Sequence, residues 1–170
     1  MEPKDSPWAV PVISAIIERE KNGAPQILVR TRIDKYDQLY DGTIEIPAGK
    51  IDRFENVYET IVREVKEETG LDVVEINPAR ETSSFTTSRG DEAIGFRPYY
   101  CQQLTKGSVS WIGFVFVCKA KGEPKAAEGE TKDLRWISLV DLRKLIDTSS
   151  DDVFTLQLPV LDYYLRDKGF

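Results

Sequence analysis

Gly49 to Leu71 reads GKIDRFENVYETIVREVKEETGL. Placed on a helical wheel at about 100° per residue, Glu55 to Thr69 gathers Val57, Ile61 and Val65 into one apolar stripe, with Tyr58 and Val62 beside it. That is the pattern of a helix packed on a core, and Gly70 follows where a left-handed residue ends a helix. The stripe then changes character. Glu64 and Glu68 continue it and Glu67 sits at its edge, spaced i, i+3, i+4 so that the side chains cluster. Carboxylates crowded near an apolar face repel one another and resist desolvation, so they take up protons or a hard cation. They also lie near the helix C-terminus, where the dipole disfavours anions. A solvated Glu-rich face with incidental Arg and Lys pairs accounts for the same residues, and Arg63-Glu64-x-x-Glu67-Glu68 alone does not separate the two readings.

Outward from this helix the chain reads mostly as strands. Trp8 to Glu18 and Gln26 to Arg32 are β-like, with Asn22-Gly23 as a turn between them. Thr43 to Ile46 is a short β-like run closed by Pro47-Ala48-Gly49. Leu71 to Thr87 and Ala93 to Leu104 hold extended segments, and Val109 to Ala120 is the most strand-like stretch. A polar loop covers Lys121 to Lys132, followed by a strand around Leu134 to Ile137. Ser138-Leu139-Val140-Asp141 resembles a capping box before a short helix, and a last helix is expected from about Asp152 to Leu165. The order is that of a mixed α/β domain without regular βαβα alternation. One domain over residues 1–170 is expected from the length.

Composition narrows the chemistry. The chain contains no histidine, which excludes Ser-His-Asp and Cys-His nucleophilic systems and His-ligated zinc. Acid–base chemistry is left to carboxylates, Lys, Tyr or Cys. A net charge of −6 disfavours a nucleic-acid polymer as partner, and it also repels a free phosphate ester unless a cation mediates. No apolar run is long enough to span a bilayer. The first residues lack a secretory pattern and two cysteines make no disulfide framework, so a cytoplasmic location is expected.

The stretch also resembles the Nudix box at every defined position. Gly49 is followed by five residues and Glu55; seven residues later come Arg63-Glu64, then Val65, any residue, Glu67-Glu68, any residue, Gly70 and Leu71. Ile46-Pro47-Ala48 before it and Arg135-Trp136-Ile137 late in the chain are similar to the family as well. The resemblance implies a Nudix-type α/β/α sandwich, classed α/β (α+β), with a mixed sheet and a catalytic loop–helix–loop. It implies Mg²⁺, with Mn²⁺ as substitute, bound by Glu64 and Glu68, with Glu67 and the backbone carbonyl of Ala48 or Gly49 as further ligands. Arg63 and Glu55 would pair to fix the loop on the helix, and Gly49 and Gly70 would serve the backbone. The reaction implied is hydrolysis of a diphosphate linkage by water, with Glu64 and Glu68 catalytic through the metal. In this family the base can be a later glutamate; Glu130 is the candidate, with Glu128 beside it as a substrate contact, and loop solubility is the competing account of both.

The run Glu45 to Asp52 and the strand end Leu28 to Arg32 look like those of ADP-ribose and nucleotide-sugar hydrolases. Arg32 and Arg30 are then candidate substrate-binding residues, against the plainer reading of surface arginines. One departure counts against ADP-ribose: hydrolases of that group often carry a proline some way after the box, where this chain has Ser84-Phe85-Thr86-Thr87. Nucleoside triphosphates, dinucleoside polyphosphates and other diphosphates therefore stay open as substrates, as does a nucleotide-sensing module without catalysis. An isomerase of isopentenyl diphosphate would need a well-placed cysteine, and Cys101 and Cys118 read as core residues. Trp8, Tyr36, Tyr40, Phe96 and Trp111 are candidates to stack on a base, each equally a packing residue. A small nucleotide-like diphosphate is the expected partner, with no membrane; a homodimer is compatible with the resemblance.

Overall fold

The computed structural model describes residues 6–34, 38–78, 83–126 and 131–170. Strands β1 (Val10–Lys21) and β2 (Ala24–Arg32) form a hairpin. Both turn residues, Asn22 (φ 54°) and Gly23 (φ 75°), adopt the left-handed conformation that a tight two-residue hairpin requires. For that reason β1 runs on to Lys21, three residues past the expected end at Glu18. Short strands β3 (Ile44–Glu45) and β4 (Ala48–Lys50) pair with β2 and β1. Helix α1 (Val57–Thr69) follows, then β5 (Asp72–Asn77), a separate hairpin of β6 (Ser84–Thr86) and β7 (Glu92–Ile94), β8 (Tyr100–Gln103) and β9 (Trp111–Lys121). The chain closes with β10 (Thr131–Ser138), α2 (Leu139–Ser149) and α3 (Leu158–Asp167).

The main sheet is ordered β10-β2-β1-β9-β5, with β3, β4 and β8 attached to β2, β1 and β9. Its centre is a parallel pairing of β1 with β9, from Val10 opposite Trp111 to Ile17 opposite Cys118. Strand alternation divides the two faces. Ile13, Ala15, Ile17, Phe116 and Cys118 turn toward α1, where they pack with Val57, Ile61 and Val65. Ile16, Val115 and Val117 turn the other way, against Leu142 of α2 and Val160, Leu161 and Leu165 of α3. The result is the expected α/β/α arrangement with a mixed sheet.

Several boundaries differ from the sequence reading. Asn56 is the N-cap of α1, its side chain accepting from the Tyr58 N–H, so Glu55 lies on the preceding loop and outside the helix. Val62, expected beside the core stripe, is 45 % exposed. The last helix does not begin at Asp152. Residues Ser150–Asp152 and Thr155–Gln157 form single 3-10 turns, and α3 starts at Leu158 with Pro159 in its first turn, where a missing N–H costs nothing. Cys101, expected in the core, is exposed, whereas Cys118 is buried. Ser138 does cap α2, accepting from the Asp141 N–H at 3.1 Å. No helix among the described residues is long and apolar enough to cross a membrane.

Candidate active site

Strands β3 and β4 are separated by Ile46 and Pro47, and this bend carries Ala48 and Gly49 across the second half of α1. The Ala48 N–H donates to Glu68 Oε2 at 2.9 Å. Gly49 lies so close to Glu64 that a Cβ there would stand 1.8 Å from the carboxyl carbon. Two carboxylates one helical turn apart thus converge on the first two residues of β4, and glycine is the residue that leaves room. Glu67, by contrast, has a side chain 55 % exposed and meets Arg63 at 3.2 Å. Among the described residues no three acidic or thiol side chains converge as a ready-made metal cage.

Arginines face these carboxylates. Arg63 grips Glu55 through Nε and a terminal nitrogen, both at 2.8 Å, and reaches Glu64 at 2.6 Å. The hydrogen bonds from Arg63 hold the Glu55 carboxyl down to about 2. Glu55 also accepts from the Thr60 hydroxyl and the Asp52 N–H, which fastens the loop to the helix start. Arg30, read from the sequence as a residue at a strand end, lies inside the protein. One of its terminal nitrogens is shared between Glu68 at 2.5 Å and Glu45 at 2.9 Å. Glu45, 1 % exposed in its side chain, meets Arg32 at 3.1 Å on its other oxygen, and Arg32 continues to Asp34 at 2.7 Å.

Burial pushes the Glu68 carboxyl up to about 8, against the pull of Arg30, with Glu45 and Glu64 adding repulsion. Glu64 is raised as well, first by burial. Glu45 and Glu64 both repel the buried Glu68 carboxylate, and a hard cation beside Ala48 and Gly49 would offset that repulsion. The donor set suits such an ion: carboxylate and carbonyl oxygens, with no nitrogen or sulfur ligand.

This segment opens onto a cavity of about 330 Å³. Arg32, Glu45, Ala48, Gly49 and Glu64 form its charged side; Val12, Trp111, Phe154 and Leu156 form its apolar side. The Arg32 guanidinium lies 4.7 Å from the centre of the Phe154 ring, which Tyr40 meets edge-on at 5.1 Å. Of the aromatic candidates, Trp111 borders the cavity. Trp8 is 77 % exposed, and Phe96 packs edge-on against Phe114 on the α1 side of the sheet. Tyr36, Glu128 and Glu130 lie outside the described residues. Of the described residues nearby in sequence, Lys125 donates its N–H to Thr69 O at 2.8 Å and Thr131 pairs with Arg32.

Sequence reasoning gave no role to Glu45, Phe154 or Gln157. A signal for Glu45 was present, since a lone carboxylate inside the apolar run Thr43 to Ile46 has to be paired when buried. Nothing local marks Phe154 or Gln157, which reach the site from beyond α2.

A sandwich of this topology, with a loop–helix–loop aiming carboxylates at a cavity, defines a class, and the model of the NUDIX domain matches residues 8–157. The chain belongs to the Nudix family. The Uncharacterized Nudix hydrolase YvcI of Bacillus subtilis (strain 168) is 25 % identical over 124 residues, covering 72 % of this chain and 65 % of that protein, just under two thirds of its length. Among solved structures, a NUDIX hydrolase from Alicyclobacillus acidocaldarius superposes with a TM-score of 0.66 at 16 % identity, covering 93 % of this chain and 91 % of the other. The NUDIX domain of Shewanella oneidensis NrtR, complexed with ADP ribose, gives 0.62 at 14 % identity, covering 99 % and 93 %. At these identities the superpositions speak for the fold.

Proposed function

We propose that this protein hydrolyses a diphosphate linkage in a small nucleoside diphosphate derivative, ADP-ribose or a nucleotide sugar. The observation that carries the reading is the convergence of Glu64 and Glu68 on Ala48 and Gly49, at the mouth of a cavity with an aromatic far wall. Mg²⁺ or Mn²⁺ would be held by Glu64 and Glu68, with the Ala48 carbonyl and Glu67 completing the set; bound there, it would neutralise phosphate charge and acidify water.

The chain's own groups supply the rest. Arg63 and Glu55 hold the loop against the helix, so Glu64 meets the substrate in a fixed orientation. Arg32, on the charged side of the cavity, would face a phosphate or ribose oxygen; Arg30 acts from behind, holding Glu68. Trp111 and Phe154 offer flat apolar surface to a base and exclude water from that end. Glu130 would take the proton from the attacking water, with Glu128 near the substrate. Neither Cys101 nor Cys118 lines the cavity, so the isomerase reading lacks its thiol.

The test is incubation with ADP-ribose, nucleotide sugars and nucleoside triphosphates, with Mg²⁺ or with chelator, beside Glu68→Gln. Metal-dependent release of AMP from ADP-ribose, or of a nucleoside monophosphate from a nucleotide sugar, is expected, and is lost in the variant. Pyrophosphate release from a triphosphate would overturn the substrate class. Tight binding of one compound without turnover would point to a sensor.

A further inference from the structure

Ile46 sits between β3 and β4 and is fully buried. Its backbone N–H and C=O must therefore find partners inside the protein. One side chain provides both. Gln157 Oε1 accepts from the Ile46 N–H at 2.7 Å, and Gln157 Nε2 donates to the Ile46 carbonyl at 3.1 Å, across 111 positions of sequence. A carboxamide carries a donor and an acceptor side by side in one plane, so Gln157 substitutes here for a neighbouring strand. It is itself fully buried and anchored: its N–H donates to Phe154 O at 2.8 Å, and it leads directly into α3, whose Val160, Leu161 and Leu165 are in the core.

The residues after Ile46 build the cation site. Pro47 has no N–H, and its carbonyl accepts from Ala15 at 2.9 Å. Ala48 then donates to Glu68, and Gly49 lies against Glu64. The segment is thus pinned at Ile46 by Gln157, at Pro47 by the Ala15 N–H, and through Ala48 and Gly49 by their pairing with Ser14 and Ile13 of β1. We propose that Gln157 is a positioning residue for the cation site, fixing Ile46 and hence the placement of Ala48 and Gly49 against Glu68 and Glu64. Gln157 borders the cavity, but its amide is committed to Ile46, and it acts on the segment without touching substrate. This inference rests on the cation-dependent reading above.

The test titrates Mn²⁺ alone, followed by calorimetry, into the full chain and three variants, with a thermal unfolding curve for each. Gln157→Met keeps the length of the side chain and removes both hydrogen bonds. Gln157→Asn keeps the amide but withdraws it from Ile46. Val160→Ala loosens the same helix and the core it shares with Ile46, but leaves both Gln157 hydrogen bonds in place. The Mn²⁺ dissociation constant should rise roughly tenfold or more in both Gln157 variants and stay within about twofold in Val160→Ala, since groups behind a ligand shell tune affinity strongly. Should Gln157→Met not fold, Gln157→Asn decides. Unchanged affinity in a folded Gln157 variant overturns the proposal, as does equal weakening in Val160→Ala, which would make the effect one of general stability. If the unmodified protein binds no Mn²⁺, the cation-dependent reading itself fails and takes this inference with it.

Discussion

Helices α1 and α3 pack on opposite faces of one sheet and have similar lengths, 13 and 10 residues, yet they bury different things. The inward stripe of α3 is Val160, Leu161, Tyr164 and Leu165, and its one polar atom, the Tyr164 hydroxyl, donates to Glu18 at 2.9 Å. The stripe of α1 starts the same way with Val57, Ile61 and Val65 but ends on Glu68, 7 % exposed. A helix that is apolar to its end satisfies itself by packing. One that buries a carboxylate depends on groups from elsewhere, here Arg30 from β2 and the Ala48 N–H. The difference teaches that α3 satisfies itself by packing, whereas α1 breaks the packing rule at the residues to which the proposed function assigns the chemistry.

The sharpest way to break this contrast is Glu68→Gln. Loss of the carboxylate proposed to hold the cation should lower turnover by about a thousandfold, several kcal/mol of transition-state stabilisation, while far-ultraviolet circular dichroism shows the fold intact. Gly49→Ala comes next. The added methyl collides with the Glu64 carboxylate, and displacing that group should cost about a hundredfold in kcat, read by steady-state kinetics at saturating Mg²⁺. Leu161→Ala on α3 should do the reverse: denaturant unfolding loses about 2–5 kcal/mol, and turnover per folded molecule is unchanged. A large fall in activity there would dissolve the division between the two helices.

The smallest effect expected is in pH. Glu55 has its carboxyl held near 2, against an ordinary 4.5. A depressed carboxylate contributes stability above its unfolded value and loses it as pH falls through the folded one. The metal-free protein should therefore lose part of its stability between about pH 4.5 and 2, and Glu55→Gln should flatten that limb of the unfolding curve.

Much of α1 was legible because its evidence is local. Periodicity placed Val57, Ile61, Val65 and the two inward glutamates on one face, and Gly70 (φ 72°) ends the helix as a left-handed cap. The same wheel misjudged Val62, since a stripe's width depends on how closely the sheet approaches, which periodicity does not encode. Arg30 and Arg32 stand two apart on one strand, and alternation alone cannot tell that one would be sealed behind Glu68 while the other borders the cavity. The far wall was illegible for a different reason. Phe154 and Gln157 act through contacts with Arg32 and Ile46, made from a stretch of single 3-10 turns and the link between them, which has no period to read.

The parallel pairing at the centre of the sheet also constrains how the chain is made. Val10 to Ile17 cannot find their partners, Trp111 to Cys118, until nearly all the intervening residues exist. Closing so long a loop costs entropy before any contact repays it, and folds dominated by distant contacts form slowly. On the ribosome the apolar strand β1 therefore waits for β9, just as β2 waits for β10. During synthesis the β1 edge that β9 will cover stays open to pairing with other strands until then.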